Sequence, residues 1–254
     1  LLSLNRPAEA EKALRHAIEL RPEWSLPLAT LGSLLVHQGK FAQAEPILIH
    51  ALKVDIRSYP ALTALAELRL RTNAAPEQLR SVLEQMRAVM AGPRVPASVW
   101  AARAAIERAV GSTTEALSST DRALENDPKN VEALIVRAEL RAEGGDVDRA
   151  IDDALAARKF ASDPDRANLV LARIYARANR PDEANETLAR LSETAKNSAD
   201  AAAIRAALVK CDGAPENVAI LEKSLAADPK NPALLACLGA AYRRTNPSRS
   251  LELY

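Results

Sequence analysis

Residues 10–22 read AEKALRHAIELRP, and this pattern decides the fold because it returns along the chain. Its fixed points are an alanine, a large residue four positions on, an alanine three positions further and a proline five after that. Copies begin at Ala44, Ala116, Ala150, Ala184 and, more weakly, Asn217. Successive steps are 34, 72, 34, 34 and 33 residues. Because 72 is two periods of 34 plus four, one divergent copy with a four-residue insertion lies between Ala44 and Ala116.

The prolines that close the copies give an independent check on this period. Pro22 and Pro128 are 106 residues apart, which is three periods plus four. Pro128 and Pro229 are 101 residues apart, which is three periods minus one. Both series require the same insertion and the same deletion, so the chain is built from internal repeats of about 34 residues.

A second motif precedes the alanine pattern in each copy. It reads Leu28-x2-Leu31-Gly32-x2-Leu35 near the start and Leu235-x2-Leu238-Gly239-x2-Tyr242 near the end. Together the two motifs resemble the tetratricopeptide repeat, W-x2-L-G-x2-Y followed by A-x3-F and a proline, over essentially the whole chain. Three arginines depart from the family pattern, at or next to positions that are usually small or apolar: Arg103, Arg137 and Arg205.

The resemblance implies an all-α fold, a right-handed superhelical solenoid of antiparallel helix pairs with about seven to eight repeats, the terminal ones truncated. Apolar residues spaced at i, i+3, i+4 and i+7 agree with it. Small residues such as Gly32, Ala44, Ala104, Ala138 and Ala172 are expected where paired helices touch. The predicted helices span 7–20, 25–38, 41–54, 59–72, 75–90, 97–110, 113–126, 131–143, 147–160, 165–178, 181–195, 198–210, 214–227 and 232–245.

One repeat domain over residues 1–254 is expected. The segment 91–96, AGPRVP, holds the insertion, and it is interpreted either as a long loop or as a bend between two stacks. Pro46 is expected to start or bend its helix, because proline lacks the N–H that an interior helical residue donates. The chain starts without Met and neither end resembles a polar capping helix, so we expect the native chain to continue.

The composition limits the classes of function. Hydrophobic residues make 48% and charged residues 26% of 254 residues, which excludes a disordered tail. A net charge of +1 provides no overall field for nucleic acid, and aromatic residues are only 3%. The sequence contains no run of 18 apolar residues, so no membrane span is predicted.

No residues point to catalysis. His16 and His50 are 34 residues apart, which indicates repeated surface positions, and His37 stands alone. Cys211 and Cys237 have no metal-ligand spacing. A single bridge between them and apolar packing of Cys237 are both left open. The sequence also lacks a glycine-rich phosphate loop. We therefore predict no enzyme, no metal, no cofactor and no small-molecule substrate.

The resemblance implies that first helices line a concave groove that binds partner segments. The candidate groove residues are Glu132, Ile135, Glu139, Glu143, Arg166, Leu169, Arg173, Arg177, Lys210, Arg243 and Arg244. An acidic step is followed by a basic one toward the C-terminus, which favours docking of an acidic peptide or terminal carboxylate. In the alternative interpretation these charges pair with each other between adjacent helices.

The sequence thus predicts a non-catalytic protein–protein interaction scaffold or adaptor. Two alternatives stay open. One is a periplasmic scaffold of a bacterial secretion or exopolysaccharide-export assembly, and the other is a regulatory repeat arm of a larger enzyme. Self-association through the truncated ends is a further interpretation. The sequence predicts neither the partner's identity nor the compartment.

Overall fold

The computed structural model describes residues 7–91, 94–209, 211 and 213–253. Within these residues the regular structure is helical, and no strand occurs. The helices are α1 (Pro7–Leu20), α2 (Ser25–His37), α3 (Phe41–Val54), α4 (Tyr59–Arg71), α5 (Pro76–Val89), α6 (Ala97–Ala109), α7 (Thr113–Asn126), α8 (Val131–Glu143), α9 (Val147–Phe160), α10 (Asp165–Arg177), α11 (Pro181–Ala189), α12 (Glu193–Lys196), α13 (Ala199–Leu208), α14 (Pro215–Ala227), α15 (Pro232–Thr245) and α16 (Pro247–Glu252).

The all-α prediction is confirmed. Except over 181–195, the predicted helices begin and end within two residues of the observed ones. The first helices of the repeats are α2, α4, α6, α8, α10, α13 and α15, and second helices alternate with them. Apolar periodicity locates helices this well because turn residues punctuate every unit.

The chain divides into two compact units, Leu1–Leu140 and Arg141–Tyr254, and the division falls within α8. In the first unit α2 packs against α3 and α4, α4 against α6, and α6 against α7. In the second unit α10 packs against α9, α11 and α13, and α14 lies between α13 and α15. Within each unit, first helices such as α2, α4 and α10 contact both their own second helix and the next first helix, as expected for stacked helix pairs.

Small residues let the paired helices approach closely. A Cβ placed on Gly32 of α2 would lie only 2.3 Å from Cδ2 of Leu48 on α3. Both residues are buried. The alanines expected at helix contacts are also completely buried, namely Ala44, Ala104, Ala138 and Ala172. At these contacts the densely packed core is thus built from small alanine side chains between closely spaced helices.

The turn after most first helices contains one residue with positive φ. These residues are Gly39, Asn73, Gly111, Gly145, Asn179 and Gly213. Their steps are 34, 38, 34, 34 and 34 residues. Glycine and asparagine enter this left-handed conformation most readily, which is why they end helices. The series locates the four-residue insertion between Asn73 and Gly111.

The predicted helix 181–195 is wrong, because the chain leaves the helix after Ala189 and starts α12 at Glu193. The cause is a tertiary contact. Asp165 of α10 accepts hydrogen bonds from the backbone N and the Oγ of Ser192, with a distance of 3.0 Å to the backbone N. The same Oγ accepts from the backbone N of Ala195, so Ser192 caps α12.

The structure also differs from the prediction at Pro46 and at the C-terminal end of the chain. Pro46 lies inside α3 and does not start it. Since Ala42 and Pro46 are exposed, water can replace the missing helical hydrogen bond. Residues 247–252 form α16, which was not predicted. In the segment 91–96, Gly92 and Pro93 lie outside the described residues.

The two cysteines are joined in a disulfide, with 5.1 Å between the Cα atoms. Cys211 follows α13, and Cys237 lies on α15, where it packs against the apolar cluster of Leu234 and Leu238. The bond spans 26 residues. Closing a loop of that length stabilises the folded state by roughly 3 kcal/mol in the chain-entropy model. The bridge thus fastens α15 to the end of α13 within the second unit.

The contact between Gly32 and Leu48 generates a double-mutant prediction. We expect Gly32→Ala to destabilise the first unit by about 1–2 kcal/mol, because overpacking outweighs the gain in helix propensity. Leu48→Ala alone should cost about 2–5 kcal/mol. In the double variant the new methyl group occupies space that Leu48 has vacated. The loss of unfolding free energy in the double variant should therefore be smaller than the sum of the losses in the two single variants. Urea unfolding followed by circular dichroism measures these free energies, and strictly additive costs would contradict the close contact.

Candidate protein-binding surface

Three arginines lie along α10 at the spacing that the sequence indicated. Arg166, Arg173 and Arg177 are separated by seven and four residues, so a helix places them on one side. Arg166 and Arg177 are exposed, and Arg173 is half-buried. Arg173 Nη2 lies 3.3 Å from Asp200 Oδ1 on the neighbouring first helix, α13. Within the part of the chain that the structure describes, Arg177 has no hydrogen-bond or ion-pair partner.

The acidic candidates lie on α8. Glu139 forms an ion pair with Arg108 of α6, with 3.0 Å between Oε2 and Nη1. Glu132 is half-buried and Glu143 is exposed. Ile135 is only 2% exposed and has almost no surface to offer a partner. The charge of Glu139 is therefore balanced by an adjacent first helix.

The remaining candidates are not gathered into one cluster by the described contacts. Leu169 is half-buried and packs on the apolar cluster that contains Ala172 and Ile204. Arg243 is exposed on α15. Lys210 and the side chain of Arg244 lie outside the described residues.

The pairs of Arg173 with Asp200 and of Arg108 with Glu139 both connect successive first helices, as the pairing interpretation expects. Each joins a candidate residue to one outside the candidate set. The pair of Arg173 with the exposed Asp200 contributes at most about 1 kcal/mol because water and salt screen it. Pairing among the candidates themselves stays a prediction.

The arginines that depart from the family pattern have structural partners. Arg103 Nε lies 2.7 Å from Oε1 of the fully buried Glu107. Ser119 Oγ donates to the other carboxylate oxygen of Glu107 at 2.6 Å. A buried carboxylate requires such partners because its desolvation is otherwise costly.

The other two departing arginines bind acceptors nearer the surface. Arg137 pairs with Asp121 of α7 at 3.0 Å. Arg205 Nη1 donates to the backbone oxygen of Lys196 at 2.7 Å. Sequence reasoning missed these roles, since the acceptors follow from tertiary packing.

The described residues contain neither a metal-binding cluster nor a candidate membrane span. None of their histidine, cysteine and carboxylate side chains form a group able to hold a metal ion. Among the same residues no helix is long and apolar enough to cross a membrane. His16 and His37 contact Glu19 and Glu67, with nitrogen–oxygen distances of 3.4 and 3.2 Å. These are exposed surface pairs.

Three family models, each described as tetratricopeptide repeat, match residues 1–23, 101–167 and 152–208. The matched stretches together cover about half of the chain. No curated protein matches the sequence.

Solved structures match most of the chain. The APC/C hetero-tetramer Cut9–Hcn1 has a TM-score of 0.78 at 13% identity, over 93% of this chain and 46% of that chain. The present chain thus spans less than half of that protein. A tetratricopeptide repeat protein from Parabacteroides merdae has a TM-score of 0.61 at 20% identity, over 90% of both chains. PilF of Pseudomonas aeruginosa has a TM-score of 0.58 at 14% identity, over 81% of this chain and 91% of that chain.

At these identities the structural matches establish the fold, which is an all-α repeat solenoid. The fold and the family models agree, and the chain belongs to the tetratricopeptide-repeat family. Proteins of this class are generally non-catalytic scaffolds that bind protein partners. The fold therefore supports a role as a protein-interaction repeat scaffold.

Proposed function

We propose that this chain is a non-catalytic adaptor that binds an acidic segment of a partner protein on the first-helix surface of its second unit. The observation that carries the proposal is the row of Arg166, Arg173 and Arg177 on one side of α10. Guanidinium groups bind carboxylates through two parallel hydrogen bonds, so a row of them suits an extended acidic peptide.

Arg173 and Arg177 differ in what a ligand must displace. Arg177 is exposed and lacks a described partner, so its guanidinium can meet a ligand carboxylate without breaking a described protein contact. Arg173 must exchange its contact with Asp200, whose side chain is 66% exposed. An exposed pair of this kind is weak, and a better oriented carboxylate can replace it. Arg177 is therefore the residue on which affinity should depend most directly.

Binding at the α10 surface, formed by Arg166, Arg173 and Arg177, can be tested by affinity capture from a lysate of the source cell. A protein that binds the native chain should be lost when Arg166, Arg173 and Arg177 are all changed to Glu. With the partner purified, Arg177→Glu alone should weaken binding by roughly tenfold, the scale of one hydrogen bond between charged groups.

The matched control reverses three exposed arginines on second helices, Arg80, Arg87 and Arg122, and changes net charge equally. It should retain the partner. Equal loss of the partner with both triple variants would mean that binding depends only on net charge. Retention of the partner by both variants would mean that the α10 surface is not the binding site.

The disulfide favours one of the alternative functions, a scaffold that works outside the cytoplasm, such as a periplasmic part of a secretion or exopolysaccharide-export assembly. Disulfides persist in oxidising compartments, whereas cytosolic reductants keep most thiols reduced. Cys211 is exposed, so small reductants can reach the bond. A cytoplasmic adaptor would therefore contain two free thiols.

Thiol labelling in intact source cells tests this alternative. Cells are lysed in denaturant with an excess of a maleimide-linked polymer, and the size of the native-length protein is then read on an immunoblot. We expect Cys211 and Cys237 to stay unlabelled until a reductant is added before the reagent. Labelling of both cysteines without reductant would contradict an oxidising compartment.

A further inference from the structure

The second unit contains a cavity of about 360 Å³ next to α12, the short helix that follows the break after α11. Residues of α12, α13 and α14 line it, so it lies among a first helix and second-helix segments. The α10 arginines do not contribute to its lining. The cavity is therefore separate from the α10 surface.

Arg205 is the most firmly placed charged group in this cavity. Its side chain is half-buried, and Nη1 is fixed by the backbone oxygen of Lys196 at 2.7 Å. Among the described residues it has no carboxylate partner. A guanidinium carries five N–H donors, and that contact uses only one of its nitrogens. Arg205 is thus a pre-oriented donor whose positive charge is not balanced by a described acid.

Two lysines add to this charge. Lys223 of α14 is exposed and, within the described chain, also lacks an acidic partner. Lys196 Nζ lies 2.7 Å from Oε1 of Glu193, and this hydrogen bond lowers the pKa of the Glu193 carboxyl. The side chain of Glu193 is 85% exposed, so the pair is readily exchanged. The described part of the lining carries three basic groups and one acid, and this excess of positive charge raises the local concentration of anions.

The wall of the cavity also has an apolar part. Ile220 on α14 is 38% exposed there, and Ala202 on α13 is half-buried beside it in the lining. A ligand that satisfies both parts has a carboxylate next to an aliphatic group. Among the described residues, no aromatic side chain lines the cavity to stack on a base, which disfavours single-stranded nucleic acid.

We propose that this cavity binds an acidic peptide segment in which a glutamate or aspartate stands next to an aliphatic residue. Arg205 and Lys223 hold the carboxylate, and Ile220 contacts the aliphatic side chain. This proposal shares with the proposed function only the premise that the chain binds proteins. It does not depend on the α10 surface. It gives the second unit two faces on which acidic segments can dock.

The test measures binding of a fluorescein-labelled hexapeptide, Leu-Glu-Glu-Leu-Glu-Glu, to the full chain by fluorescence anisotropy at physiological salt. Lys223→Glu should weaken binding by about tenfold or more, since it replaces an attraction to the ligand carboxylate by a repulsion. Lys230→Glu is the matched control, because Lys230 is exposed in the same unit, lacks a described partner and is outside the lining. It should change affinity less than about twofold, as expected for a distant exposed charge.

Further variants separate this site from the α10 surface. Ile220→Ser should weaken the leucine-containing peptide but leave a peptide with serine in place of leucine unaffected. A loss with Arg177→Glu and none with Lys223→Glu would move the peptide to α10, overturning this proposal while supporting the proposed function. Equal losses with Lys223→Glu and Lys230→Glu, no binding by the native chain, or full displacement by inorganic phosphate would each overturn the proposal.

Discussion

The close approach of paired helices is the constraint on which the rest of this fold depends. Gly32 faces Leu48 at a distance that leaves no room for a methyl group. The alanines Ala44, Ala104, Ala138 and Ala172 are completely buried. Because these positions must stay small, the motif around them keeps its spacing of 34 residues. The small side chains also explain how a chain with 3% aromatic residues can build a core.

Much of the fold could be predicted because it is encoded locally and repeatedly. The left-handed turn residues give a second series of the same period, and its single step of 38 residues agrees with the insertion inferred from the alanine pattern. The failures arise where distant residues decide. Asp165 accepts hydrogen bonds from Ser192 where the chain leaves the helix, although the local sequence predicted that the helix continues to residue 195. The Cys211–Cys237 bridge likewise depends on a tertiary contact, which spacing alone left undecided.

The candidate surface was less predictable than the fold. Helical spacing alone places the three α10 arginines on one side, so that part followed from the sequence. Spacing does not reveal that Ile135 is buried or that Glu139 meets Arg108. The cavity beside Arg205 was not predicted from the sequence. It lies where the repeat pattern is interrupted, and its charged side chains come from three separate helices, α12, α13 and α14. The second proposed binding site therefore lies at a departure from the repeat pattern.

The measurement that tests the account most directly is hydrogen–deuterium exchange of the chain with and without its purified protein partner. The account predicts slower amide exchange on binding within 165–208, which contains α10 and its neighbour α13. It predicts little change in α3 and α7, which are second helices of the first unit. Slower exchange confined to those second helices, with α10 and α13 unchanged, would contradict the account.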